Sequence, residues 1–496
     1  MLSYVHRFIC IIHFYVMEEF KSYDQYIIDQ KPEEQHKHKA YIDETNDSKG
    51  EIEEETLNLI DSIIEDMENI QNTSIKLIFS NLKAILEEND QYNIASILQE
   101  KEILSLIINI IHSSHLTIED NKYLIEFFNV ILNNCKERSY DYWISQDYVV
   151  YLMNCAHEGL LSQYVYNYGL TPCLAMNETV FHLLIQEHWI DFMCESYSSL
   201  LKEISTEIDE AEEINIFFAR ESIKSTITIG YIMVGKYYSF ISEEDLSKLI
   251  DIFIHSFAFD FCRNHSIYAL FLLVKIIPNH ETGFLSSDDI QQILLNISLD
   301  SNQAIAGYSL YIIRKMLLNN QFSLISELIQ NIDTILENFC WVELTKPAKY
   351  ILKIMQILVQ DPELRDVFLT QNRFLFFDSI INDMEFNLKQ ILLNCIMTAM
   401  SCSTQSFIES LINSHNLIEE ILSLTEEIDP ESKNASILID SLYSIILFLV
   451  NSGWSCITLE EVQNLISLDF IIDYLEIDSQ NKTKAKYIVQ VLESNN

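Results

Sequence analysis

Apolar residues gather along this chain into short dense blocks, at Leu124–Leu132, Ile267–Ile277, Ser309–Leu318, Tyr350–Val359, Leu388–Met400, Ile437–Val450 and Lys486–Leu492. From Ala269 through Tyr311, Leu352, Leu392 and Leu442 to Ile488 the numbering advances by 42, 41, 40, 50 and 46 residues. A spacing of that size is what stacked units of two or three helices produce. Between the blocks the apolar spacing is helical rather than alternating. Leu57, Ile60, Ile63, Ile64 and Met67 recur at three and four positions, the period of one helix face. A block that is apolar nearly all round must be covered on both sides, and in a stack the neighbouring units supply the cover.

The plan is clearest in the second half. Phe368-Leu369 and Phe374–Ile381 predict one or two helices, Asn382 to Glu385 a polar turn, and Leu388–Met400 a long apolar helix. Phe407–Ile412, Leu417–Leu424, an acidic turn through Pro430, and Ile437–Val450 repeat the order. Pro278 and Pro362 follow two other blocks, where a residue that cannot continue a helix suits the turn into the next unit. Ser242 before Glu243-Glu244-Asp245 reads as an N-cap followed by acid in the first turn. Residues 135 to 235 are rich in tyrosine and predict one or two irregular repeats.

This pattern resembles the armadillo/HEAT superfamily of helical repeats: a short helix, a second helix ending in a polar turn, and a long apolar third helix. Ala95–His112 with Leu124–Leu132, Phe368–Met400 and Phe407–Val450 carry the likeness. The resemblance implies an all-α fold, a right-handed α-solenoid of about eight or nine armadillo/HEAT-like repeats. Within the superfamily the nearest functional analogy is the importin-alpha type, whose third helices carry a ladder of Trp and Asn. Its pattern places Tyr311 and Lys315, Asn394 and Thr398, and Tyr443 and Leu447 at the ladder positions. The Trp/Asn ladder is therefore absent here.

The expected organisation is a flexible acidic N-terminal arm over residues 1–55, then an armadillo-like α-solenoid over 56–496. From Glu18 to Glu55 there are 13 acidic residues and five lysines, a composition that cannot fill a core. The first sixteen residues change character abruptly at Met17 and read as an over-long gene model, with Met17 as the start. No uninterrupted apolar run approaches the ~18 residues that span a bilayer.

Charge and chemistry narrow the function. With 74 acidic against 31 basic residues the formal net charge is −43, which argues against nucleic acid and anionic membrane as partners. It favours a protein or peptide, and a basic one, with carboxylates speeding the encounter. Ten cysteines with no CxxC spacing, mostly inside apolar blocks, read as buried reduced thiols of a cytoplasmic or nucleocytoplasmic protein. Phosphate loops, HExxH and GxSxG motifs are missing, and His112 with His115 has no cysteine nearby to complete a zinc set.

The expectation is thus a non-catalytic scaffold without cofactor or metal, holding an extended or helical basic segment of a partner on its concave face. The alternatives are an importin-like transport adaptor and a regulatory subunit or enzyme with a cryptic pocket. If third helices line the groove, its candidate residues are the polar members that interrupt them: Asn129, Arg314, Gln356, Asn394, Ser444 and Gln490.

Overall fold

A computed structural model describes residues 54–494 apart from 70–73, 89–90, 114–115, 136–138, 159–164, 206–212, 279–282, 340, 342–344, 370–372, 403–404, 413, 453–457 and 478–480. Among the described residues every regular element is a helix. The acidic arm expected over 1–55 lies outside the described residues except for Glu54 and Glu55, which open the first helix. The chain divides into two compact units, Met1–Ile276 and Ile277–Asn496.

The first unit contains α1 (Glu54–Glu68), α2 (Ile75–Glu88), α3 (Gln91–Glu100), α4 (Ile103–Ser113), α5 (Ile118–Asn134), α6 (Tyr140–Trp143) and α7 (Gln146–His157). A π-helical turn at Val165–Leu170 leads to α8 (Thr171–Met176), α9 (Glu178–Gln186), α10 (Trp189–Ser205), α11 (Glu213–Tyr237), α12 (Glu243–Phe257) and α13 (Arg263–Ile276). One layer runs from α2 to α5, on to the π turn and α8, then to α11 and α13. Its middle is the irregular region that the tyrosines announce. There Pro172, lacking an amide hydrogen, sits in the first turn of α8. Aromatic rings fill the space that regular helices leave: Tyr148 stacks on Phe128 with centroids 3.7 Å apart, and Trp143 meets the same ring edge-on. Both Trp143 and Tyr148 are fully buried. Ser242 caps α12 by accepting from the Asp245 amide, and Thr117 forms a capping box with Asp120 at α5.

The second unit is more regular. It contains α14 (Asp288–Ser298), α15 (Gln303–Leu318), α16 (Ile325–Asn338), α17 (Lys346–Gln360) and α18 (Pro362–Leu369). Two 3-10 turns, Arg373–Ser379 and Ile381–Asp383, stand where the Phe374–Ile381 helix was expected. Then follow α19 (Phe386–Cys402), α20 (Gln405–Ile412), α21 (His415–Glu427), α22 (Lys433–Ser452), α23 (Leu459–Leu465), α24 (Leu468–Glu476) and α25 (Lys482–Ser494). Each apolar block lies within a long helix, and these stack in the order α15, α17, α19, α22, α25.

Side chains that bond between helices, within a repeat or across to the next, fix the register of the stack. Ser309 donates to the Leu294 carbonyl at 2.5 Å, Ser441 to that of Met397 at 3.3 Å, and Asn481 to that of Ser436 at 3.0 Å. Arg373, almost wholly buried, donates to the carbonyls of Ile329 and Phe368 and pairs with Asp333 at 3.0 Å. Such partners are what let a polar group enter an apolar stack at little net cost. Within α22, Asn434–Asn451 is long and apolar enough to cross a membrane by length and composition, yet half of it is buried between its helical neighbours.

Candidate functional site

The exposed edge of a stacked long helix is set by its period. On α15 the residues left partly open to solvent include Ala304, Tyr311, Arg314, Lys315 and Leu318, while Ile305, Ala306, Ile312, Ile313 and Met316 are buried. On α17 the open positions are Lys346, Lys349, Tyr350, Lys353, Gln356 and Ile357. Three- and four-residue steps put each set on one face.

Close approach of the two helices begins at Gly307. A Cβ there would lie 2.9 Å from the Lys346 Cβ and 3.2 Å from the Pro347 nitrogen, contacts that a larger residue meets only by pushing the α17 backbone away. Thr345 caps α17 by accepting from the Ala348 amide. With the helices so placed, the Lys346 ammonium lies 4.9 Å from the Tyr308 ring centroid, and Tyr311 meets Tyr350 edge to face at 5.1 Å. Lys315 lies 6.0 Å from the Tyr311 ring.

Arg314 follows Tyr311 by three residues on α15, and Lys349 and Lys353 flank Tyr350 on α17. Partial burial, then the charges of Arg314 and Lys349, hold the Lys353 ammonium below its ordinary pKa. The same Arg314 charge acts on Tyr311 and Tyr350, whose phenols burial pushes upward. Nε of Arg314 is buried with no hydrogen-bond partner, and among the described residues no carboxylate forms an ion pair with Arg314, Lys349 or Lys353.

This arrangement belongs to a wider segregation. The five long helices of the second unit carry ten lysines or arginines against two carboxylates, Asp440 and Glu493. The seven other helices of that unit carry seventeen carboxylates and a single arginine, Arg365. A basic partner was expected from charge averaged over the whole chain, and on this face the sign is reversed. The signal was present in the sequence: lysine is scarce overall, yet Lys346, Lys349 and Lys353 recur at helical spacing in one apolar helix with no acid between them.

The residues singled out in the sequence fall into two groups. Arg314, Gln356 and Asn394 lie on three consecutive helices of one stack, each partly buried. The side chains of Gln356 and Asn394 have no hydrogen-bond partner among the described residues. Ser444 bonds its own helix through the Asp440 carbonyl at 2.9 Å, and Gln490 is exposed near the end of α25. Asn129 belongs to the first unit, where it accepts from Asn133 at 3.1 Å. Lys349, Tyr350 and Lys353 were not among them, and Tyr311 entered as a ladder position.

Nothing in the described residues gathers three His, Cys, Asp or Glu around one point. Burial pushes the thiol of Cys262 up to about 12, and raises those of Cys155, Cys173 and Cys395 as well. That is the opposite of what a nucleophilic cysteine requires.

No protein-family model and no curated protein matches the sequence. Solved structures do match the fold. A crystal structure of an engineered protein superposes with TM-score 0.58 at 7% identity, covering 87% of this chain and 98% of that one. SYS-1 superposes with TM-score 0.55 at 11% identity, covering 93% of this chain and 90% of its own. In its complex with POP-1, SYS-1 gives the same TM-score and identity over 94% and 91%. At these identities the likeness concerns fold, and the fold is an armadillo-like helical solenoid.

Proposed function

We propose that this chain is a non-catalytic scaffold that holds a segment of another protein along the exposed face of its long helices in the second unit. One observation carries this reading: Arg314, Gln356 and Asn394 interrupt three successive apolar helices, half-buried, with the Arg314 Nε and the two amide side chains lacking protein partners. The Arg314 Nε is buried and costly to leave unpaired, while the two amides reach the partly open face, where a bound main chain would satisfy them. The shared fold with SYS-1, which has been solved in complex with POP-1, supports a protein as the occupant. Buried, reduced cysteines suit a site of action in the cytoplasm or nucleus.

A photoreactive phenylalanine analogue at Gln356, with a second chain carrying it at the exposed Glu337 of α16, tests this in the native cell. A discrete protein adduct from position 356 and none from 337 is expected. Equal labelling from both positions, or none from 356, overturns it. An importin-like adaptor would instead give adducts with basic targeting peptides.

A further inference from the structure

The scaffold reading leaves the chemistry of the segment open, and the charge of the face decides it. Arg314, Lys349 and Lys353 stand together on α15 and α17, next to the paired rings of Tyr311 and Tyr350. These two helices contain five cations and no carboxylate, in a chain where acid outnumbers base 74 to 31. Two other lysines of the second unit have acid partners: Lys389 pairs with Glu420 at 2.5 Å and Lys484 with Asp440 at 2.8 Å. Placing like charges together without a counter-charge costs stability, and the Lys353 ammonium, lowered first by burial, is lowered further by the Arg314 and Lys349 charges. We propose that the Arg314, Lys349 and Lys353 cluster receives the side-chain carboxylates of a short acidic segment of the partner protein, which rests on the scaffold reading above.

Size and surroundings restrict the ligand further. From Lys346 to Lys353 the helix rises about 10 Å, and two packed helices lie about 8–10 Å apart. An extended chain covers that patch with about three or four residues. The surrounding helices α14, α16 and α18 carry Asp288, Asp289, Glu327, Asp333, Glu337 and Glu363 among their acids. A long polyanion such as nucleic acid would run past the patch into a unit whose other helices are acidic, whereas a short run of Asp or Glu would not. The guanidinium of Arg314 offers the fork that takes a carboxylate in two hydrogen bonds, and the two lysines add point charges.

The test uses the full chain and a fluorescein-labelled peptide of about twelve residues rich in Glu and Asp, beside its Gln/Asn counterpart. Anisotropy would be read at low and high salt for the native chain, for R314Q/K349Q/K353Q and for the control K486Q, with circular dichroism to confirm folding. The acidic peptide should bind in a salt-sensitive manner and the amide peptide should not. The triple substitution should weaken binding about tenfold or more, as three partly exposed ion pairs imply, and K486Q should leave it unchanged. Carbodiimide coupling followed by mass spectrometry should find amides between the peptide and Lys349 or Lys353. Binding unchanged in the triple variant, or peptide amides only at other lysines, overturns the proposal. So do amides joining Lys349 or Lys353 to the chain's own carboxylates of residues 18–55, which would make the occupant intramolecular. If the Gln356 probe captures a partner that R314Q/K349Q/K353Q still binds, this inference falls alone. Without any capture, the scaffold reading falls first.

Discussion

The pairs α2–α5 and α15–α17 are built from the same kind of stacked helix and manage their charge in opposite ways. In the first pair each resolved lysine has an acid beside it: Lys76 meets Glu119 at 2.7 Å, Lys83 meets Glu126 at 3.0 Å, and Lys122 lies 3.7 Å from the same Glu126. In the second pair Arg314, Lys349 and Lys353 crowd one another, and no ion pair forms with any of them among the described residues. A surface shaped only by stability would resemble the first pair, because paired charges add a little and crowded like charges subtract. The contrast separates a face whose charges are paired within the fold from one whose charges are not.

Substitutions sharpen that contrast, and the largest effect belongs to the core beneath the first pair. Phe128→Ala should remove the ring on which Tyr148 stacks and cost about 3–5 kcal/mol. Hydrogen exchange should show the loss confined to the first unit, with acidic-peptide binding on α15–α17 unchanged; a loss spread evenly over both units would mean they do not act separately. Next comes Gly307→Val, whose branched side chain must displace the start of α17. It should cost about 1–3 kcal/mol and abolish peptide binding together, since Lys346 and Lys349 ride on the displaced turn.

Smaller and opposite in sign are two lysine replacements. Lys83→Met should lower stability by up to about 1 kcal/mol and lose that effect in high salt. Lys353→Met should instead raise the melting temperature slightly while weakening the acidic peptide. A fall in melting temperature for Lys353→Met would show that the cation is paired in solution after all. The pH dependence of Lys353 has the matching sign. Its folded pKa lies below the ordinary 10.5, so the unfolded chain binds more protons as pH approaches that value, and stability rises with pH there. The cost is fully present at neutral pH. A melting series from pH 8 to 10.5 should show the native chain gaining on Lys353→Met, and parallel curves would count against crowding as the cause.

Much of the fold was legible before any coordinates. Blocks of apolar residues some forty positions apart predict long helices in a stack, and α15, α17, α19, α22 and α25 are those blocks. Ser242 predicts its own cap because capping is local chemistry, settled within three residues. The region from Tyr140 to Leu170 was legible only as irregular. Its π turn and stacked aromatics depend on which rings meet across helices, and no local period encodes that. Arg314, Gln356, Asn394 and Ser444 could all be picked out as polar breaks in apolar helices, but that Ser444 bonds its own backbone is a matter of rotamer that spacing does not record.

What the sequence by itself determined is periodicity, and with it the helices, their stacking and the armadillo-like fold. Each follows from burying an apolar face, a requirement that short-range spacing records. What tertiary structure decided is where the charge goes. A sum of −43 is blind to position, and only the close packing of α15 on α17 at Gly307 sets Lys349 and Lys353 beside Arg314. Electrostatic character depends on distance and burial, which are properties of the folded chain, so an acidic protein can carry a basic face.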